Sequence, residues 1–214
     1  MMKIKQKISR FIINILQIIG PKKIRVLGKK YIINKDVFNP KLYLTSSLMA
    51  KQINVNSKHD VLDMGTGSGI LAIVAAQKAK KVIAIDINPK AVQCAKENIK
   101  NNNLKNVKVY QGDLFSPLKP KDKFDVILFN PPYLDGSLKN PIEQALNDPD
   151  KKVIKRFFKQ AKKHLKSKGY IQMLYSSIAN PEQILKITKY LGWKNKLLCK
   201  KKALYETFFI YKFY

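Results

Sequence analysis

From about residue 59 onward, short apolar runs alternate with longer stretches in which apolar residues recur every three or four positions. The short runs predict buried β-strands, and the longer stretches predict helices that cover them. The expected strands are 60–65, 81–87, 107–112, 124–130 and 169–176, and the expected helices are 70–79, 89–101, 150–166 and 181–191. The tail resembles two antiparallel strands, roughly 194–201 and 204–213, whose short link near Ala203 predicts a hairpin.

This order of elements predicts an α/β fold with a doubly wound, Rossmann-like sheet of seven mostly parallel strands and a C-terminal antiparallel strand. We expect one such domain over residues 56–214. Residues 1–55 are expected to form a helical and β-ribbon-like lead-in packed on it, and the apolar run 11–20 predicts an amphipathic helix. That run is too short to cross a bilayer, and no other segment predicts a transmembrane helix.

The chain has 42 basic and 14 acidic residues, which give a net charge of +28 at pH 7. A field of this sign attracts nucleic acids and other polyanions. The sequence is also rich in Lys, Asn and Ile, as an AT-rich genome would make it, so both explanations stay open. Two widely separated cysteines and two isolated histidines predict a cytoplasmic protein without a disulfide framework or a metal site.

A glycine-rich turn follows the first expected strand and precedes the first expected helix. It reads Asp63-Met64-Gly65-Thr66-Gly67-Ser68-Gly69, with glycines at alternate positions after an acid. Ligands of open α/β sheets bind at the carboxyl ends of the strands, where glycines let the backbone approach closely. The carboxylate of Asp63 favours a ligand that carries a free amino group.

Two further acids end the next strands. Asp86 follows the glycines by about 20 residues and can accept both hydroxyls of an unphosphorylated ribose. Asp113, followed by Leu114, can accept from an adenine amino group. Because the carboxyl ends of parallel strands meet at one edge, the three acids together predict a pocket for adenosine with an amino-acid tail, namely S-adenosylmethionine (SAM).

The fourth expected strand ends on Asn130-Pro131-Pro132-Tyr133, written N-P-P-Y below. The side-chain carbonyl of Asn130 and the backbone carbonyl of Pro131 can both accept from one NH2 group. Holding both hydrogens in this way would favour a pyramidal nitrogen whose lone pair faces a methyl donor. Tyr133 can stack on the planar group that carries this nitrogen. The segment therefore predicts methylation of a planar nitrogen by positioning and electrostatic preorganisation, without a general base.

Over residues 35–214, the chain resembles the class I SAM-dependent methyltransferases with an N-P-P-Y motif, and most of all the release-factor glutamine methyltransferases (HemK-like). Two further segments carry the resemblance: Val37-Phe38-Asn39-Pro40 with Thr45-Ser46, and Ala203-Leu204-Tyr205-Glu206-Thr207. The chain resembles a short form without the bacterial helical N-terminal domain. Where the family has a glycine pair, near 147–151, this sequence reads Asn147-Asp148-Pro149-Asp150-Lys151.

The resemblance implies the strand order 3-2-1-4-5-7-6 and a role for each site residue. The methionine end of SAM would lie against Asp63, Gly65, Thr66, Gly67 and Gly69, its ribose at Asp86, and its adenine at Asp113 and Leu114. Thr45 and the four N-P-P-Y residues would hold the glutamine amide of a release factor's Gly-Gly-Gln loop. A small zinc-binding activator is a possible partner, as in eukaryotic members.

The nature of the acceptor stays open at this point. N-P-P-Y is shared with methyltransferases of adenine N6 and guanine N2 in RNA and DNA, and the basic charge suits such substrates. A base inside a duplex would have to be flipped out to reach the site. A SAM-binding or RNA-binding module without catalysis is a third possibility, against which the intact Asn130 and the three pocket acids count.

Overall fold

A computed structural model describes residues 20–34, 36–37, 39, 44–203 and 206–214. The predicted helix in residues 11–20 lies outside the described residues except for Gly20. Four residues of the family-like segments, Phe38, Pro40, Leu204 and Tyr205, lie outside them as well.

Nine strands and six α-helices are found within the described residues. The strands are β1 Lys23–Val26, β2 Lys29–Ile32, β3 Asp60–Met64, β4 Lys81–Asp86, β5 Val107–Gln111, β6 Phe124–Phe129, β7 Leu165–Ser176, β8 Asn195–Lys202 and β9 Thr207–Phe213. The helices are α1 Leu44–Lys51, α2 Ile70–Ala76, α3 Pro89–Asn101, α4 Pro141–Leu146, α5 Lys152–Ala161 and α6 Pro181–Tyr190. Short 3-10 turns cover Pro149–Lys151, Lys162–His164 and Ser177–Ala179.

Strands β3 to β9 form one seven-stranded sheet in the order β5-β4-β3-β6-β7-β9-β8. Strand β9 runs antiparallel to both β7 and β8, and the other neighbouring pairs are parallel. Numbered within the sheet, this is the order 3-2-1-4-5-7-6, so the predicted fold class and strand order are confirmed. The central strands β3, β4 and β6 are buried on both faces, which explains their nearly continuous apolar sequences.

The two faces of the sheet support separate hydrophobic layers. One layer contains Val82 and Ala84 of β4 with residues of α2 and α3. The other contains Ile83 and Ile85 with Phe157 of α5 and aromatic residues of β9. Successive side chains of a strand point to opposite faces, so one apolar strand supplies both layers.

The β1–β2 hairpin packs on the first of these layers. Ile24 and Tyr31 are buried in it, and the side chain of Asn98 in α3 holds the hairpin edge. Asn98 accepts from the N–H of Ile32 at 2.7 Å and donates to the carbonyl of the same residue at 2.9 Å. The lead-in therefore contains the expected β-ribbon, while the domain boundary at residue 56 stays a prediction.

The helix expected over 150–166 is wrong at both ends. Asp150 and Lys151 have φ angles of +57° and +56°, so regular helix begins only at residue 152. At the other end the chain already pairs as β7 from Leu165, which lies opposite Phe124 of β6. A register shift between Phe124 and Val126 accommodates this early start.

Candidate functional site

A cavity of about 450 Å³ lies at the carboxyl ends of β3, β4 and β6. This volume falls in the range typical of small-molecule sites. Most of the residues that the sequence predicts as site residues line it: Thr45, Gly65, Thr66, Gly67, Asp86, Asp113, Leu114, Asn130, Pro131, Pro132 and Tyr133. The fold therefore brings together residues that are far apart in the sequence, because parallel strands deliver their ends to one edge.

The glycine turn between β3 and α2 is shaped by its backbone. Gly65, Gly67 and Gly69 all have positive φ angles. Gly69, at +83°, also lies so close to α3 that an added Cβ would be 3.3 Å from the Cα of Ala95. A side chain at this position would push apart two helices that flank the cavity, so close helix packing and the left-handed backbone both require glycine there.

Asp63 lies beneath the cavity and does not line it. Its side chain is fully buried and accepts from the Thr66 hydroxyl at 2.6 Å and from the Ala72 N–H at 3.0 Å. Burial raises the pKa of Asp63 to about 7. The carboxylate therefore joins the end of β3 to the glycine turn and to the first residues of α2. Its sequence position did not reveal this structural role.

Asp86, at the end of β4, faces the cavity across the glycine turn. Its two carboxylate oxygens accept from the Gly67 N–H at 2.8 Å and from the Asn88 N–H at 2.9 Å. Burial raises the pKa of Asp86 above its ordinary value. A carboxylate has about four acceptor positions, so two bonds to the backbone leave capacity for hydroxyl donors of a ligand.

Asp113 lies at the same edge of the sheet, but it has a partner that the sequence analysis missed. Its Oδ2 accepts from the guanidinium of Arg156 in α5 at 2.6 Å, and both side chains line the cavity. Leu114 beside it is buried with a φ angle of +50°. Arg156 is one of three arginines in a chain that otherwise uses lysine, and this rarity was a signal in the sequence.

The N-P-P-Y segment follows β6 directly and enters the cavity. The amide nitrogen of Asn130 donates to the hydroxyl of Ser46 in α1 at 3.4 Å. The amide oxygen of Asn130 is buried and has no hydrogen-bond donor among the described residues. Leaving a buried acceptor unpaired costs about 1–3 kcal/mol, so a ligand that donates to this oxygen removes that cost.

Tyr133 is held by its backbone and by a neighbouring aromatic ring. Its N–H donates to the Leu146 carbonyl at 3.0 Å. Its ring meets the ring of Tyr175 edge-on, with centroids 5.5 Å apart at 61°. Burial raises the pKa of the Tyr175 phenol, so that group stays neutral across the physiological range.

Helix α4 adds a wall to the cavity that the sequence analysis missed. The helix contributes Pro141, Gln144 and Leu146 to this wall, and the loop before it contributes Leu138. The sequence contains a signal for the helix, because Asn140 is followed by proline, as at many helix starts. In the structure the Asn140 side chain caps the helix by accepting from the N–H of Glu143 at 2.9 Å. Its brevity, at six residues, gives no clear amphipathic pattern.

The sequence pattern that defines the methyltransferase small domain matches residues 34–202. The chain belongs to the methyltransferase small domain family. The predicted resemblance and the prediction of an enzyme that transfers methyl groups are thereby confirmed.

Several relatives are similar over much of this methyltransferase. It is 36% identical over 190 residues to a Methanocaldococcus jannaschii protein provisionally named protein N5-glutamine methyltransferase, a match covering 86% of this chain and 94% of that one. It is 32% identical over 168 residues to the release factor glutamine methyltransferase of Fusobacterium nucleatum, covering 68% of this chain but 48% of that one. It is 31% identical over 151 residues to the tRNA1(Val) (adenine(37)-N6)-methyltransferase of Actinobacillus pleuropneumoniae, covering 68% and 64%.

Solved structures share the fold. The E. cuniculi Mtq2–Trm112 complex, responsible for methylation of the translation termination factor eRF1, aligns with a TM-score of 0.61 at 22% identity. The alignment covers 83% of this chain and 98% of that chain.

Two further findings concern the described part of the chain. None of its helices has the length and apolar character needed to cross a lipid bilayer. Among its His, Cys, Asp and Glu side chains, no group of three is arranged to hold a metal ion.

Proposed function

We propose that the chain is a SAM-dependent N-methyltransferase that modifies the glutamine side-chain amide of a peptide chain release factor. The observation that carries this proposal is the buried amide oxygen of Asn130, which has no donor among the described residues although it lies at a ligand cavity. A planar NH2 group supplies the missing donor. The names of the M. jannaschii and F. nucleatum relatives support glutamine as its source.

The residues at the strand ends fit SAM as the cofactor. The positive φ angles of Gly65 and Gly67 bring backbone to the cavity surface, where the methionine portion approaches. The unused acceptor capacity of Asp86 receives the ribose hydroxyls, and Asp113 beside Arg156 lies at the adenine end. SAM, when bound, supplies an electrophilic methyl group on a positively charged sulfur.

The acceptor is held by the N-P-P-Y segment. The Asn130 amide oxygen and the Pro131 carbonyl each accept one hydrogen of the substrate NH2 group, and Tyr133 covers the flat face of the amide. This arrangement disfavours delocalisation of the nitrogen lone pair and aims it at the methyl group. Transfer would form the N–CH3 bond as the S–CH3 bond breaks, which leaves S-adenosylhomocysteine, and the proton lost from the nitrogen would pass to solvent.

An RNA base is the second candidate acceptor, and two observations favour it. One relative with 31% identity is named a tRNA adenine-N6 methyltransferase. The net charge of +28 gives a field that attracts RNA. An exocyclic amine of adenine or guanine presents the same planar NH2 group to Asn130, so the segment alone does not select between a protein and a nucleic acid.

Label transfer from SAM decides between these acceptors. The protein is incubated with methyl-labelled SAM and either purified release factor or total RNA, in equal molar amounts of acceptor sites. We expect label in the release factor, and a release factor whose Gly-Gly-Gln glutamine is changed to glutamate serves as the control that should stay unlabelled. Label confined to RNA would establish the second candidate in place of the first.

Three further parts of the proposal concern the setting of the enzyme. We propose that residues 1–55 pack on a catalytic domain formed by 56–214 and that the enzyme works in the cytoplasm, where translation factors are made. We also propose a small zinc-binding activator as a partner, supported by the similarity in fold to Mtq2 in its complex with Trm112. Co-purification of a small protein with the tagged enzyme from its native cells tests the activator.

A further inference from the structure

Lys151 occupies an unusual place between the cavity and α5. Its side chain is 4% exposed, although it carries a charged ammonium group. The Nζ atom donates to the backbone carbonyl of Tyr133 at 3.2 Å and to the Asp135 carboxylate at 3.0 Å. Lys151 itself is absent from the cavity lining, so its contact with the N-P-P-Y segment is made from behind.

The local backbone makes this placement costly. Both Asp150 and Lys151 adopt left-handed φ angles, which residues with a Cβ rarely do. Burial of an ammonium group adds a desolvation cost that only close acceptors offset. The Tyr133 carbonyl and the Asp135 carboxylate are such acceptors. Their hydrogen bonds with Lys151 therefore account for its left-handed backbone, which neither helix propensity nor apolar packing favours.

The same region is joined to N-P-P-Y by a short set of backbone bonds. The N–H groups of Tyr133 and Leu134 both donate to the Leu146 carbonyl, at 3.0 and 2.9 Å. The N–H of Asp148 donates to the Leu134 carbonyl at 2.9 Å. The Asp148 carboxylate accepts from the first N–H groups of α5, at Val153 and Ile154, and so fixes where that helix begins.

We propose that Lys151 is a positioning residue for methyl transfer, which holds Tyr133 through its carbonyl and thereby fixes the N-P-P-Y segment relative to the cofactor. This inference rests on the proposed function, because it assigns Lys151 to the acceptor side of that site. A fixed carbonyl limits rotation of the peptide plane next to the Tyr133 ring. Misplacement of an acceptor by about 1 Å is enough to lower a rate by about a hundred-fold.

Turnover of three variants tests the proposal. Lys151→Met keeps the length and the Cβ of the side chain, so the backbone strain is unchanged and only the ammonium is lost. We expect its kcat to fall by about ten- to a hundred-fold, with the Kd for SAM, measured by calorimetry, within about two-fold of the wild type. Lys151→Gln keeps an N–H donor on a side chain one bond shorter, and its kcat should lie between those of the wild type and Lys151→Met. Lys155→Met removes an exposed lysine from the adjoining helix α5 and should match the wild type.

Hydrogen exchange gives a readout that needs no acceptor. In Lys151→Met, the amides of Tyr133 and Leu134 should exchange at least several-fold faster, while the amides of β4 keep their wild-type rates. If the wild type methylates no release factor, the proposed function fails while this exchange measurement still tests Lys151. Unchanged exchange at Tyr133 and Leu134, unchanged kcat, or a parallel loss of SAM affinity would each overturn the inference.

Discussion

At the scale of single residues, the two amide atoms of Asn130 have different surroundings. The nitrogen has a protein acceptor in Ser46, while the oxygen is buried without a donor in the described structure. Folded proteins satisfy most buried polar groups, so an unpaired acceptor at a cavity is expected where a ligand completes it. The proposed chemistry therefore depends on one oxygen atom and not on an ionisable group.

Replacement of Asn130 by Ala should abolish most of the transfer and spare cofactor binding. We expect kcat/KM to fall by about a hundred- to a thousand-fold, the range found when one preorganised hydrogen-bonding group is removed from an active site. The Kd for SAM should change by no more than about two-fold. Asn195→Ala, in the exposed strand β8, is the matched control and should keep full activity. Wild-type turnover in Asn130→Ala would contradict the assigned role.

At the scale of elements, the turn from β3 to α2 is organised by Asp63. The carboxyl bonds one residue in the glycine turn, Thr66, and one in the first turn of α2, Ala72. Burial raises its pKa to about 7 from an ordinary value of 3.8. The folded chain thus binds this proton more tightly than the unfolded chain. Between the two pKa values, the free energy of unfolding is therefore larger at the acidic end.

Stability should therefore fall as the pH rises from about 4 to 7, by no more than about 4 kcal/mol from Asp63. Asp63→Asn removes this titration, so in urea unfolding between pH 5 and pH 8 its stability relative to the wild type should improve up to about pH 7 and stay level above it. For Asp125 burial acts upward, but the hydrogen bonds from Lys166 and from the Asp60 N–H, together with the nearby positive charge, outweigh it and the pKa is lowered. Asp125→Asn should differ from the wild type by a constant amount over that range. Parallel curves for Asp63→Asn and the wild type would refute the assignment.

The elements differ in how far the sequence predicts them. Strands β3 to β6 match their expected limits within about one residue, because β3, β4 and β6 are short apolar runs, β5 alternates apolar and polar residues, and turn residues bound each of them. The exact start of α5 was not predictable, since Asp148-Pro149-Asp150 favours a turn but does not specify left-handed backbone at Asp150 and Lys151. It depends on contacts distant in sequence, above all Lys151 with Tyr133, and on the left-handed angles those contacts hold.

The candidate site could also be predicted only in part from the sequence. The residues at the strand ends could be named, because βαβ order fixes where they meet. Which of them face the cavity could not be read from the sequence. Asp63 lies beneath it, where its Oδ2 atom accepts from both Thr66 and Ala72. Asp113 shares its carboxylate with Arg156, 43 residues away.

At the scale of the whole molecule, charge is the dominant property. With 42 basic and 14 acidic residues, at least 28 basic side chains have no acid with which to pair one to one. Part of this excess lies along the exposed edge strand β8, where Lys200, Lys201 and Lys202 run towards the carboxyl end that β8 shares with the parallel strands. This places cations at the same edge of the sheet as the cavity.

Binding to RNA should therefore depend steeply on salt if the excess charge is used to contact a polyanion. Measured by fluorescence anisotropy with a ribosomal RNA hairpin, the affinity should fall by about a thousand-fold between 50 and 200 mM salt if six or more phosphates are contacted. The triple change of Lys200, Lys201 and Lys202 to Glu should reduce the slope of log K against log salt. A triple change of Lys96, Lys100 and Lys105, around α3, is the matched control. Equal slopes in the two triple variants would mean that the β8 lysines contribute no more to RNA binding than other lysines. A shallow slope in the wild type would mean that the excess charge reflects amino-acid composition and not RNA binding.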